Sequence, residues 1–430
     1  MKHSSSPAVT AIFFVLLAFG STACSAKSRQ DAAPPPSTTL AAAAPSPTPA
    51  PALEGEDFAS DVRLLYRVVA CSGDEPLPEG MDAAVVKAHC DWLLPKMESY
   101  RKLYVGVAQP YLAKLRPEGL PTSVVYPFGG GDLISALTSY PDAKEITTIS
   151  LEHGGDPRRL RTLTSDQLAK SLDLFRKTIK QLLTLDDSAS EDLMKVQRGG
   201  IPGQLSFFLV GLAVHGQEPV SLRYFRLTPE GQIHYLTAEE IAASEPKRAQ
   251  KLNSVWNAPD FSEAFSNLEI AFRPAGSKDA PTQVHRHIAA NLSDGPLTKD
   301  PSLLKHLEAK GHVSAMIKAA SYLIWFGDFT KIRNYLLANA DFIFSDTTGI
   351  PPRYASKAGF VQETYGSFDG TFIPAFQGPA YQKETAAFKE LWASQPHRDI
   401  SFRYGYPDVN HRGHLMVTRR APSAPAPAKP

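Results

Sequence analysis

Residues 123–156 read SVVYPFGGGDLISALTSYPDAKEITTISLEHGGD and constrain the chain more than any other stretch. A run rich in β-branched and aromatic residues enters Gly129, Gly130, Gly131 and Asp132. A short helical stretch follows, and a second β-rich run ends in Glu152. Glycines permit a tight turn out of a strand, and an aspartate directly after them suits a helix N-cap. The stretch therefore predicts a strand–turn–helix–strand unit at the carboxyl edge of a sheet, with Asp132 as the cap.

The rest of the body mixes helices and strands. Phe58, Val62, Leu65 and Val69 keep helical spacing, as do Leu168, Leu172, Phe175, Ile179 and Leu182. Helices are also predicted over about 82–94, 97–115, 204–215, 301–308, 313–326, 329–340 and 381–394, with Pro95 and Pro110 interrupting or kinking the stretch formed by the first two. VSLRYFRL and QIHYLT flank Thr228-Pro229-Glu230-Gly231 and read as a hairpin. NLEIAFR, TQVHRHIAANL, residues 342–345, GFVQETYGSF, ISFRYGY and HLMVTR read as further strands. Alternation of this kind points to an α/β or α+β fold with a mixed sheet.

The chain ends speak to location. Lys2 and His3 precede an apolar run, Ala8 to Gly20, too short to span a bilayer comfortably. Small residues follow, the pattern of a signal peptide over 1–23. Ser21-Thr22-Ala23 before Cys24 resembles a lipobox, with Ser21 where leucine is usual, so Cys24 is the expected lipidation site and membrane anchor. The same residues also suit ordinary signal peptidase. Ser25 in place of the retention aspartate favours the outer membrane. Residues 24–53 are rich in Pro and Ala and read as a disordered spacer, 54–420 as the globular body, and 421–430 as a disordered tail. Removing Cys24 leaves Cys71 and Cys90, an even number in an oxidising compartment. Their disulfide would staple a helical hairpin within 56–115, ahead of a mixed α/β part over 120–420, and closing such a loop is worth roughly 3 kcal/mol.

Charge excludes one class of partner. Lys and Arg number 45 against 44 Asp and Glu, so nothing favours nucleic acid. His285 and His287 alternate on a strand, and with His411 and His414 they would suit a metal only if folding brought the pairs together. No metal and no cofactor is expected. SDTTGIPP, at 345–352, follows an apolar strand and places Asp346 where an α/β site or an Asx turn would sit. No Gly-x-Ser-x-Gly, His-Glu-x-x-His or Walker loop occurs.

Two resemblances follow. Gly129, Gly131 and Glu152 resemble the first half of a class I methyltransferase, a Rossmann-like unit, with Ile134 standing where a third glycine belongs. The phrases CSGD, HCDWL, VVYPFGGGDL, TTISLEHGGDPR, EPVSLRYFRL, RHIAANL, KAASYLIW and SDTTGIPP together resemble a family of uncharacterised bacterial exported proteins. That resemblance implies export and a shared fold, with no established activity. The expectation is an envelope lipoprotein that binds a small molecule or envelope ligand at Gly129, Gly130, Gly131, Asp132, Glu152 and Asp346. The alternative is an exported hydrolase or transferase-like enzyme using the same acids.

Overall fold

A computed structural model describes residues 55–185, 196, 200–244, 262–370, 379–405 and 413–421. The expected signal peptide, Cys24, the spacer, His411 and the tail beyond 421 lie outside the described residues. Ten strands form one mixed sheet: β1 (Ser123–Pro127), β2 (Glu145–Ser150), β3 (Gln217–Leu227), β4 (Ile233–Tyr235), β5 (Asn267–Pro274), β6 (Gln283–Ala289), β7 (Val313–Ile317), β8 (Ala340–Ser345), β9 (Phe360–Gly366) and β10 (His414–Arg420). Their order is β4-β3-β5-β6-β2-β1-β7-β8-β10-β9. The five central strands, β6 to β8, run parallel. Both flanks are antiparallel. β1 lies in the middle, with β2 on one side and β7 on the other.

Helices cover both faces, which is why the central strands are apolar on both sides. On one face lie α1 (Ala59–Val69), α2 (Ala83–Tyr100), α3 (Gln109–Leu115), α4 (Leu133–Ser139), α5 (Ser165–Leu185), α6 (Gly203–Val214) and the short α7 (Ala238–Ala243). They share a core with Val124, Tyr126, Ile146, Met316 and Phe344. The other face carries α8 (Asp294–Lys299), α9 (Ser302–Glu308), α10 (Thr330–Asn339), α11 (Pro352–Lys357) and α12 (Pro379–Ala393). These pack on Val125, Ile149, Ala315, Ile317 and Ile343. Successive residues of β1 thus feed opposite cores, the period-2 signature of a strand. Cys71, just after α1, is disulfide-bonded to Cys90 within α2.

Three local expectations change. The helices expected at 82–94 and 97–115 are one helical run. Pro95 lies inside α2, and a π-helical segment, Arg101–Ala108, leads into α3. Pro95 and Asp91 are exposed, so water serves the carbonyl that loses its donor. Arg101 also holds the run in place, donating through Nε to the Val214 carbonyl at 3.0 Å and through Nη2 to that of Ala213 at 3.3 Å. A guanidinium at the end of α6 meets the negative end of that helix's dipole. Second, the helix expected over 313–326 is β7 followed by a 3-10 turn, Ala319–Trp325. Val313–Ile317 is buried throughout, and an apolar run without periodicity does not distinguish a strand from a helix. Third, ISFRYGY forms no strand within its described residues, 400–405; one backbone bond, His414 N to Tyr404 O at 2.9 Å, ties it to β10.

Candidate functional site

The turn after β1 is built by its glycines and by a strained aromatic. Phe128 adopts φ +61°, a left-handed conformation uncommon for a bulky side chain, and Gly130 follows at +49°. The Gly129 N–H donates to the Ile149 carbonyl at 3.1 Å, locking the turn to the end of β2. At Gly131 a Cβ would stand 3.1 Å from Phe207 and 3.2 Å from Gln204 Oε1. Glycine is needed there so that α6 can approach. Asp132 caps α4 as expected, accepting from the Ser135 N–H at 3.3 Å.

Asp132 also begins a buried polar cluster along the carboxyl edge. The Tyr126 hydroxyl donates to its Oδ2 at 2.9 Å. Lys318, at the end of β7, donates to the same oxygen at 3.2 Å and to Ser135 Oγ at 2.9 Å. Lys318 is 1% exposed and Asp132 5%. Further along, Asp346 accepts from the Thr348 N–H at 2.7 Å and from its hydroxyl, the Asx turn anticipated for SDTTGIPP. Thr347 lies 3.1 Å, Oγ1 to Nδ1, from His414. Burial pushes the Tyr126 phenol well above its ordinary value, and the carboxylates of Asp132 and Asp346 push it further. Asp132 and Asp346 therefore act on one phenol.

Glu152 lies beyond the end of β2 in a different setting. It is 1% exposed, and neither carboxylate oxygen has a hydrogen-bond partner. Its backbone is firmly held. The Glu152 carbonyl accepts from His287 Nε2 at 2.7 Å, Gly154 N–H donates to Ser266 O at 3.0 Å, and Leu205 N–H donates to Gly154 O at 3.3 Å. Gln204, in the first turn of α6, donates to Ser150 Oγ at 3.1 Å, while its own Oε1 is buried without a partner. Three buried acceptor atoms thus lack donors where β2 meets α6.

The histidine pair bonds internally, save that the buried Nδ1 of His285 has no partner. Burial lowers both, His287 to about 4 and His285 well below the ordinary value, so both rings are neutral near pH 7. A carbonyl only accepts, so the His287 proton sits on Nε2. His287 Nδ1 then accepts from the Thr148 hydroxyl at 3.1 Å, and Thr148 accepts from His285 Nε2 at 2.9 Å. Both rings pack on Phe208. His414 lies with Thr347, away from this pair. Among the described residues, no group of three His, Cys, Asp or Glu side chains is placed to hold a metal ion.

The fold therefore gathers the sequence candidates along one edge. Gly129, Gly130, Gly131 and Asp132 follow β1, Glu152 follows β2 and Asp346 follows β8. Sequence reading missed Tyr126, Lys318 and Gln204. Lys318 carried a usable signal, a lone cation ending the apolar run VSAMI, but the helical reading of that run hid it. No protein-family model, curated protein or solved structure matches this chain.

Proposed function

We propose that this is a lipid-anchored, exported binding protein that holds a small, hydroxyl-rich ligand at the carboxyl edge of its sheet. The observation that carries this reading is Glu152. A carboxylate sealed from water with no donor costs several kcal/mol unless something neutralises or hydrogen-bonds it. Vicinal hydroxyls of a sugar or ribose supply that need, and the orphan Gln204 Oε1 can accept a further hydrogen bond. Strand order supports the location. Counted in chain order, the parallel strands run third, second, first, fourth, fifth, as in doubly wound, Rossmann-like sheets, which bind ligands outside the carboxyl ends beside the first strand. This also favours the partial methyltransferase resemblance. The packing at Gly131 does not favour a dinucleotide, because Phe207 and Gln204 occupy the ground a pyrophosphate would need. Export, the Cys24 anchor, an outer-membrane address and membership of an exported family rest on the N-terminal pattern and the shared phrases.

A thermal-shift panel of monosaccharides, envelope oligosaccharides, nucleosides and S-adenosylmethionine tests the reading, since any ligand of the native state raises its stability. At least one hydroxyl-rich compound should raise Tm. Glu152→Gln should weaken it by roughly 10- to 100-fold, the worth of hydrogen bonds to a charged group. The unliganded variant should melt no lower than wild type, because it loses a buried unpaired charge. A panel without effect, or an equal response from Glu152→Gln, refutes the proposal.

A second reading as an enzyme draws on the buried Lys318–Asp132–Tyr126 cluster beside the glycine turn. Asp132 and Asp346 already accept from internal donors, which favours holding the edge over general-base work. Turnover of any substrate that fell by orders of magnitude in Asp132→Asn would favour catalysis instead.

A further inference from the structure

Arg403 is a second internal charge that the described residues leave unanswered. It lies between Phe402 and Tyr404, which are 4% and 3% exposed. Phe402 packs edge-on against Tyr111 at 5.5 Å, and the Tyr404 carbonyl accepts from the His414 N–H at 2.9 Å. A Cβ on the next residue, Gly405, would stand 2.5 Å from Asp346 Cβ. The backbone on both sides of Arg403 is thus pinned beside the start of β10. Arg403 is only partly buried as a residue, so it borders solvent. Yet its Nε, Nη1 and Nη2 are all sealed from water and none has a hydrogen-bond partner.

Other arginines show how unusual this is. Arg116, Arg223 and Arg333 each have a buried Nε without a partner. Each also pairs through another nitrogen: Arg116 with Asp142, Arg223 with Asp57, and Arg333 with the Ile324 carbonyl at 2.6 Å. Among the described residues with such buried nitrogens, Arg403 alone has none of its three satisfied. A guanidinium does not deprotonate in proteins, so it cannot escape by becoming neutral. It must meet an acceptor that the described residues do not supply. Its planar fork matches two oxygens of one carboxylate or phosphate.

We propose that Arg403 is an oxyanion-binding residue, taking the carboxylate or phosphate group of a small ligand. The site is independent of Glu152. β10 lies four places from β2 in the sheet, roughly 19 Å at about 4.8 Å per strand.

The test is thermal melting of the full chain at constant ionic strength, with chloride replaced stepwise by inorganic phosphate or by acetate. Wild type should gain about 3 °C or more in at least one series, saturating as a single site. A response to phosphate alone assigns a phosphoryl group, and one to acetate alone a carboxylate. Arg403→Met should lose the response and, in chloride, melt no lower than wild type. Arg403→Lys keeps the charge but not the fork, and should bind about tenfold or more weakly. It also serves as the comparison if the Met variant does not fold. No shift in wild type with either anion, or an undiminished response in the folded variants, overturns the proposal.

Discussion

Individual side chains in this protein divide into those the fold satisfies and those it leaves open. His287, with both ring nitrogens bonded, belongs to the first group, whereas the buried Nδ1 atoms of His89 and His285 have no partner. His89, His215 and His287 are each pushed down to about 4, mainly by burial, against an ordinary value of 6.5. A folded-state value below the unfolded one means that the unfolded chain binds protons more readily as pH falls. Their contribution is complete above about pH 6.5 and is lost as pH drops toward 4. Tm measured from pH 7.5 to 4 should therefore fall steadily below about 6.5, and a flat profile would contradict the neutral, buried assignment. Glu152 and Arg403 belong to the second group. Glu152 was legible as a candidate because it ends a β-rich run after a glycine turn. Its lack of partners was not, since that depends on His287 engaging the Glu152 backbone carbonyl and Gln204 engaging Ser150, and neither engaging the carboxylate. Nothing in the sequence singled out Arg403, because a lone arginine in a strand-like phrase has no pattern.

At the scale of elements, spacing was most informative where an element has one wet and one dry side. α1 and α5 were legible for this reason, and the β3–β4 hairpin from its Pro-Glu-Gly turn. β7 was not, because both of its faces are buried and its apolar run shows no period. The long helical run was missed as one piece because local proline rules outweighed tertiary support from α6. α6 also packs closely on α4: a Cβ on Gly211 would stand 3.2 Å from the Ile134 backbone nitrogen. Backbone cannot yield as a side-chain tip can, so Gly211→Ala should cost about 1–3 kcal/mol by overpacking. Chemical denaturation would measure it. An unchanged or raised stability would show that α4 and α6 are free to separate.

For the whole molecule, the sheet order explains why residues distant in sequence meet. Parallel strands run outward from β1 in both directions, so the ends of β1, β7 and β8 bring Asp132, Lys318 and Asp346 to one edge. No spacing rule in the sequence could give that juxtaposition, because it depends on which strands neighbour β1. The anchoring proposal belongs to this scale as well. Mass spectrometry of the N-terminus of the membrane-fraction protein should find diacylglycerol on Cys24, and an unmodified terminus there would sink the lipoprotein reading. The central claim is that the edge beside Glu152 holds a hydroxyl-rich small molecule. Native mass spectrometry of the protein purified from the envelope and incubated with the ligand panel tests it most directly. A one-to-one adduct of a hydroxylated compound is expected on wild type and should be lost or strongly reduced in Glu152→Gln. A wild-type spectrum without any adduct, or the same adduct at equal intensity in both proteins, would contradict it.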